Sequence, residues 1–533
     1  MSVPSNATES HFMTQHDSTS RRGMMTNAAA NWLGFVATVA VTFFMSPLLV
    51  HELGDRDYGV WALVESVLAY LALFDLGIGA AVVRYVARFQ ETREDDELDR
   101  VFSTSLAIFA GLGLLALAIT LALAFVWSRP LGVPEDVASA ARWLLVLLGL
   151  NLAVGLPLGV YDSVLYALGR FPLRTAVQLS VLALRTATFL WILHRGGGLL
   201  EIGLAITFFG VLQHVILLSI VHRLVPKLRF SIRFVDRSTF HTIRGYSLWA
   251  FMAMVAGRIS FSTDAIVISA FLTPEYITYF AIAARLIEYG KNAVQSATAV
   301  LTPTISRLDA KEDFEGIRRV LIAGSRCVVW FILPVQLGMM FFGYTFLSMW
   351  MGDRIAEQSF SPLLALSLTL TLATSQFISA RLFYGVGLLH WFAWGTIAEA
   401  LANLVISLAL VRQFGITGVA IGTAIPNIVF NLALMVYVCR VAGVGLGSYL
   451  RGTFLSPLVA ATVLLLTWYG WRNQFGTPST WPSLALACSS GLFAYAVAGC
   501  FLEPELRKQL RRALARLRGE QFLDPPDASI AVY

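Results

Sequence analysis

Twelve charged side chains lie at depth within segments apolar enough to sit in hydrocarbon: Glu65, Asp75, Asp162, Arg185, Arg258, Asp264, Arg285, Glu288, Lys291, Arg326, Arg381 and Glu399. On insertion scales a charge at the bilayer centre costs about 2.5–3.5 kcal/mol, so each needs a partner or a wet cavity. Five of the twelve fall between residues 242 and 303. Among them Arg285, Glu288 and Lys291 recur at i, i+3 and i+6, a spacing that puts neighbours on one helix face. The trio is either a self-neutralising ladder that ties helices together or a net-positive surface facing a cavity, to which Arg258 adds a further charge. Asp162 and Arg381 either line a cleft or pair locally near the ends of their segments. Arg84 and Arg88, four apart, are either simple cytoplasmic anchors or a cationic entrance.

The elements that must position these groups follow from composition. The chain has 533 residues, 57% of them apolar and 14% charged, with a mean hydropathy of +0.69. Soluble domains average about 25% charged residues. The apolar excess is spread along the whole chain, and each crossing takes about 20 apolar residues. The reading is an all-α membrane protein of about 14 transmembrane helices: 27–50, 58–84, 102–127, 138–167, 173–193, 199–222, 242–271, 276–303, 319–342, 360–387, 391–411, 417–439, 452–471 and 482–502. Arg21-Arg22 mark the cytoplasmic end of the first, and the segment 343–359 is expected to be the longest external loop.

Orientation follows from Lys and Arg, which concentrate on the cytoplasmic side. With the N-terminus inside, cytoplasmic segments hold 26 of them, external segments six (Arg56, Arg129, Arg195, Arg354, Arg412 and Arg472), and the spans seven. The bias alternates loop by loop, which requires an even number of spans and places both termini in the cytoplasm.

A shift of 219 residues lays Leu53 on Leu272, Ala62 on Ala281, Arg88 on Arg307 and Arg100 on Arg319. A shift of 218 lays Gly169 on Gly387 and Gly197 on Gly415. Six spans repeat as six spans. An even number keeps the two lobes in the same orientation, related by an axis along the membrane normal. The expected organisation is a polar cytoplasmic tail (1–26), an N-lobe (27–222), a cytoplasmic linker (223–241), a C-lobe (242–440), two further spans (441–502) and a basic amphipathic cytoplasmic tail (503–533) suited to anionic lipid.

Several functions are excluded by what is missing. There is no GxxxxGK[ST], HExxH or Gly-x-Ser-x-Gly, and no soluble segment long enough to hold a nucleotide. The four cysteines are far apart and form no metal spacing, and the eight histidines are scattered. Neither an enzyme, a cofactor nor a nucleic-acid partner is expected.

One stretch is more distinctive. Leu53-Gly54, Tyr58 to Leu63 and Phe74 to Ala80 form the pattern LG-x4-G-x-W-A-L followed by D-L-G-x-G-x4-Arg-Tyr. In this it resembles the polysaccharide transporter (Wzx-type) flippases of the multidrug/oligosaccharidyl-lipid/polysaccharide exporter superfamily. The resemblance implies a two-lobed cavity open alternately to each side. The implied cargo is a polyprenyl-diphosphate-linked oligosaccharide, carried to the outer leaflet of a bacterial inner membrane for surface polysaccharide such as O-antigen, lipopolysaccharide or exopolysaccharide. It also implies a lipid-tail groove beside the last two spans. The expected partners are the lipid-linked oligosaccharide, membrane lipids and other polysaccharide-assembly membrane proteins.

A diphosphate calls for guanidinium and ammonium groups. The candidate cargo ligands are therefore Arg258, Arg285, Lys291, Arg381 and Arg185, with Arg84 and Arg88 at the cytoplasmic entrance. Asp75, Asp264 and Glu288 are the candidates for ion or proton coupling. The rival readings are a drug/cation antiporter of the same fold, which calls for an acidic and aromatic cavity, and a membrane-embedded glycan polymerase or ligase, which calls for a sizeable external segment.

The orientation is tested by reporter fusions. Alkaline phosphatase fused after Pro130 should be active, and fused after Phe230 inactive. The reverse pattern would invert the topology.

Overall fold

The structure is a computed structural model that describes residues 21–92, 94–126, 135–226, 228–237, 239, 263–298, 301, 305, 308, 311–386 and 389–503. It is built of helices, as hydrocarbon requires of a chain whose backbone groups must be satisfied internally. In order they are α1 (Arg21–Leu71), α2 (Ile78–Thr92), α3 (Asp95–Val126), α4 (Glu135–Ala167), α5 (Phe171–His194), α6 (Leu199–Leu224), α7 (Pro274–Thr298), α8 (Phe314–Met351), α9 (Asp353–Ser367), α10 (Leu370–Ser375), α11 (Phe377–Val386), α12 (Leu389–Val441), α13 (Leu446–Leu450), α14 (Ser456–Phe475) and α15 (Trp481–Leu502). Residues 263–271 are also helical.

Among the described residues nine helices are long and apolar enough to cross a membrane, or ten if the bent pair Asp353–Ser367 and Leu370–Phe383 is one span. Two of the nine are broken. Helix α1 leaves helical geometry at Gly54 (φ 80°, ψ 159°) and α12 at Gly415 (φ 57°, ψ −139°). Glycine adopts such backbone angles without a Cβ penalty, and both breaks fall in turns expected from the sequence. Charged α7 is not one of the nine, because Glu275, Arg285, Glu288 and Lys291 interrupt its apolar face.

The expected external loop 343–359 is instead mostly helical. The apolar run continues α8 to Met351, Gly352 (φ 93°) turns the chain, and α9 starts at once with Asp353. Around Asp75, inside the expected span 58–84, the helix breaks completely. After α1 comes one 3-10 turn over Ala72–Asp75, then Leu76 (φ 50°) and Gly77 (φ 73°) in left-handed conformations, before α2 begins at Ile78.

The chain forms two compact units. Residues 1–285 and 393–426 make the first; residues 286–392 and 427–533 make the second. In the first, α4 packs between α3 and α6, and α1 lies against α5. Its core includes Phe102, Phe109, Val160, Tyr161, Leu165, Leu217 and Val221. In the second, α8 is the hub, packed on α9, α10 and α14. There Trp468 is fully buried, donates from Nε1 to the Ala487 carbonyl at 3.0 Å, and lies so close to Gly491 that a side chain at 491 would collide with it.

Within the first unit the second limb of α1 packs on the start of α7. Thr278 donates through Oγ1 to the Asp55 carbonyl at 2.5 Å, and Tyr279 donates to the Asp55 carboxylate at 2.9 Å. A Cβ on Gly59 would collide with the Pro274 carbonyl and lie 3.0 Å from Thr278 Oγ1. Under the 219-residue shift, Gly59 aligns with Thr278 and Asp55 with Pro274. The contacts 59–274 and 55–278 are thus exchanged by the alignment, the reciprocity that two-fold-related surfaces show.

The close approach makes Gly59 sensitive. Gly59→Ala should cost about 1–3 kcal/mol by overpacking and lower the thermal unfolding midpoint of purified protein. Gly111→Ala, which meets nothing within 4 Å, should not.

Candidate functional site

The second limb of α1 carries the site in the first unit. Trp61 meets Phe189 of α5 edge-on at 6.3 Å. One turn along each of these antiparallel helices come Glu65 and Arg185, and the Glu65 carboxylate is within electrostatic reach of the Arg185 guanidinium. On the other side Arg285 of α7 approaches Glu65, Nη2 to Oε2, at 3.6 Å. The carboxylate therefore contacts one guanidinium, that of Arg285, and lies in the electrostatic field of a second, that of Arg185. Glu65 lies ten residues beyond Asp55, which at 1.5 Å per residue is roughly 15 Å along the helix, about half a hydrocarbon core. Both partners of the Arg285 pair are part-exposed, with side-chain exposures of 27% and 46%.

The cations expected to act together are distributed unequally. Arg185 and Arg285 converge on Glu65. Lys291 and Arg381 belong to the second unit, where Arg381 donates to the Gln295 carbonyl at 3.3 Å, one turn beyond Lys291 on α7. Arg258 lies outside the described residues, as does the tail beyond Glu503. Arg84 and Arg88 fall on α2, but their side chains are outside the description. The ladder reading of Arg285 needs correction: its ion pair is made across helices to Glu65, while Glu288 is exposed on α7.

The acids divide in the same way. Asp75 caps α2, its Oδ1 accepting from the Gly79 amide at 3.0 Å, where a carboxylate also meets the positive end of the helix dipole. Asp162 is held locally. Arg174 grips it side-on, with Nε to Oδ1 at 2.6 Å and Nη2 to Oδ2 at 2.9 Å, stapling α4 to α5. Asp264 is buried, 4% exposed, and its Oδ2 accepts from the Thr423 hydroxyl at 3.0 Å. Polar groups gather there. Thr263 Oγ1 is 2.5 Å from Tyr70 Oη, the Thr423 and Ser407 hydroxyls lie 3.2 and 3.4 Å from the Val419 carbonyl, and Ser407 donates to Asn403 Oδ1 at 3.0 Å.

Sequence reasoning missed Arg174, which counts there as a loop cation, and the neutral ring of Asn403, Ser407 and Thr423. The i, i+4 spacing of Asn403 and Ser407 in an apolar helix was the available signal. It also placed Glu65 at depth without giving it a role.

Long apolar helices broken at glycines, with charges paired at depth, define a multi-pass membrane protein. The polysaccharide biosynthesis protein family matches residues 48–359, more than half of the chain, and the chain belongs to that family. The "uncharacterized membrane protein EpsK" of Bacillus subtilis is 22% identical over 488 residues, covering 88% of this chain and 94% of that one. The "probable low-salt glycan biosynthesis flippase Agl15" of Haloferax volcanii is 21% identical over 294 residues, 55% of this chain and 61% of that one. The fold is similar to that of the lipid II flippase MurJ in an inward closed conformation, with a TM-score of 0.70 at 15% identity over 90% of this chain and 99% of that one. It is also similar to that of an inward-facing multidrug resistance MATE family transporter of the MOP superfamily, with a TM-score of 0.67 at 16% identity over 77% and 94%. The chain is thus a member of a polysaccharide biosynthesis family, and it has the superfamily fold expected from Leu53–Arg88.

The two kinds of ion pair should respond differently to substitution. Asp162→Asn should lower stability by about 1–3 kcal/mol, the range for a charged hydrogen bond, with transport per folded molecule unchanged. A specific transport defect in that variant would return Asp162 to the cavity.

Proposed function

We propose that this protein is an alternating-access flippase that moves a polyprenyl-diphosphate-linked oligosaccharide from the cytoplasmic to the outer leaflet for surface polysaccharide biosynthesis. The observation that carries the proposal is the part-exposed contact of Arg285 with Glu65, with Arg185 in electrostatic reach, set at mid-span in a member of a polysaccharide biosynthesis family. Planar guanidiniums suit the oxygens of a diphosphate. Arg258, Lys291 and Arg381 are the further cargo ligands of this reading, and Arg84 and Arg88 form its cytoplasmic entrance. In a cell with a negative interior, moving the anion outward is favoured by about 2.3 kcal/mol per charge per 100 mV.

The proposed architecture is fourteen spans in two six-helix lobes and a C-terminal pair, in a bacterial inner membrane with both termini cytoplasmic. The breaks at Gly54 and Gly415 support it by dividing two long helices into the expected pairs. The reciprocal contacts of Asp55 and Gly59 with Thr278 and Pro274 support a two-fold relation between repeats. The proposed coupling groups are Asp264, with its neighbouring hydroxyls, and Glu288. Asp75 is the weaker candidate because capping α2 already engages it.

A drug/cation antiporter would place an unopposed acid where this site has two arginines to one glutamate. A polymerase or ligase would need external structure that the α8–α9 turn at Gly352 does not supply.

Reconstituted vesicles loaded with lipid-linked oligosaccharide provide the test. Arg258→Ala, Arg285→Ala and Lys291→Ala should each slow flipping by about tenfold or more, equivalent to ~1.4 kcal/mol. Asp264→Asn should abolish the response to an imposed ion or proton gradient. Flipping unchanged in all three cation variants would remove the site; drug efflux without flipping would favour the antiporter.

A further inference from the structure

The ion pairs at depth are of two kinds. Arg174 engages both oxygens of Asp162 at 2.6 and 2.9 Å. Likewise Arg326 lies 3.0 Å from both oxygens of Glu503, which Ser456 also holds at 2.6 Å. Those carboxylates are locked. Glu65 is held differently. Its contact with Arg285 is 3.6 Å, beyond the 2.7–3.2 Å of an N–H···O bond, and 46% of the side chain is exposed. No hydrogen bond from a neighbouring side chain fixes Glu65 among the described contacts. It touches the Arg285 guanidinium of α7, and one turn from the Trp61–Phe189 contact it lies within electrostatic reach of Arg185 of α5.

We propose that Glu65 is a displaceable counter-anion: between turnovers its carboxylate occupies the place of the cargo's diphosphate beside Arg185 and Arg285, and entering cargo pushes it aside. The inference rests on the flippase reading and assigns a specificity and release function to Glu65, to which that reading gives no role of its own. The electrostatics are simple. Removing negative charge from beside arginines at mid-span would disfavour the empty site. Glu65 supplies one such negative charge. A diphosphate carries at least two charges and more acceptor oxygens, so it outcompetes a monovalent carboxylate, whereas chloride or a single carboxylate does not. When the diphosphate must leave, Glu65 is tethered beside the arginines at high effective concentration and competes for them. Affinity is given up in exchange for selectivity among anions and for release.

The probe is inorganic pyrophosphate, titrated calorimetrically against the purified full-length chain. Glu65→Gln removes the competitor and should tighten binding by about tenfold, the size of one ~1.4 kcal/mol charge interaction. Glu65→Asp draws the carboxylate back by one methylene and should tighten it less. Arg185→Gln and Arg285→Gln should weaken it by about tenfold. Flipping of lipid-linked oligosaccharide by Glu65→Gln should slow although binding improves, because release is impaired. A Glu65 that only supports the fold would give a lower unfolding midpoint with pyrophosphate affinity unchanged or weaker, and that result overturns the proposal. If Glu65→Gln does not fold, Glu65→Asp decides by the same criterion. Failure of the flippase reading looks different: wild-type protein would bind pyrophosphate, the Glu65 variants would bind it more tightly, and no variant would flip lipid-linked oligosaccharide.

Discussion

A charge surrounded by hydrocarbon must find an opposite charge, a dipole or water, and that requirement organises the inside of this protein. Each described acid at depth for which a contact is defined meets it in a distinct way. Asp162 is gripped by Arg174, Asp75 caps the amide end of α2, Asp264 takes a hydroxyl from Thr423, and Glu65 lies between Arg185 and Arg285. Geometry separates the structural pairs from the candidate functional one. Short side-on contacts tie neighbouring helices together, whereas the contact at Glu65 is longer and its side chain is part-exposed.

Helix breaks are the second device. At Gly54 and Gly415 they turn the chain between successive crossings, and at Leu76-Gly77 they turn it within the polar stretch that opens α2. Each break frees backbone groups, and side chains take some of them up, as Asp75 does for Gly79. In the second unit Gln336 accepts from the Thr371 amide and Ser325 donates to the Ser375 carbonyl beside the interruptions between α9 and α11. Polar residues in these helices thus have a structural purpose as often as a transport one, and composition does not distinguish the two.

The C-terminal pair of helices illustrates the same point. The reading from family resemblance gives them a lipid-tail groove. Their inner faces are packed solid, with Trp468 buried against Gly491 and Ala487, and Glu503 clamped by Arg326 and Ser456. Their outward residues Phe493 and Phe501 are exposed apolar surface.

The sequence by itself determined the class of molecule, because hydropathy, the Lys/Arg bias and the Leu53–Arg88 pattern are local properties that survive without coordinates. It also located the turns at Gly54 and Gly415, since glycine in a polar interval between apolar runs is a local signal. It misjudged 343–359, where local polarity at Asp353 and Arg354 suggested a loop but α8 and α9 need only Gly352 to join. Partnership was settled by the tertiary structure alone. Glu65 and Arg285 are 220 residues apart in sequence, and Glu288, at the favourable i+3 position, looked the better partner for Arg285. Helix packing places α7 against the second limb of α1 and α5 on its other side. Coulomb attraction falls with distance in space, and distance along the chain does not report it.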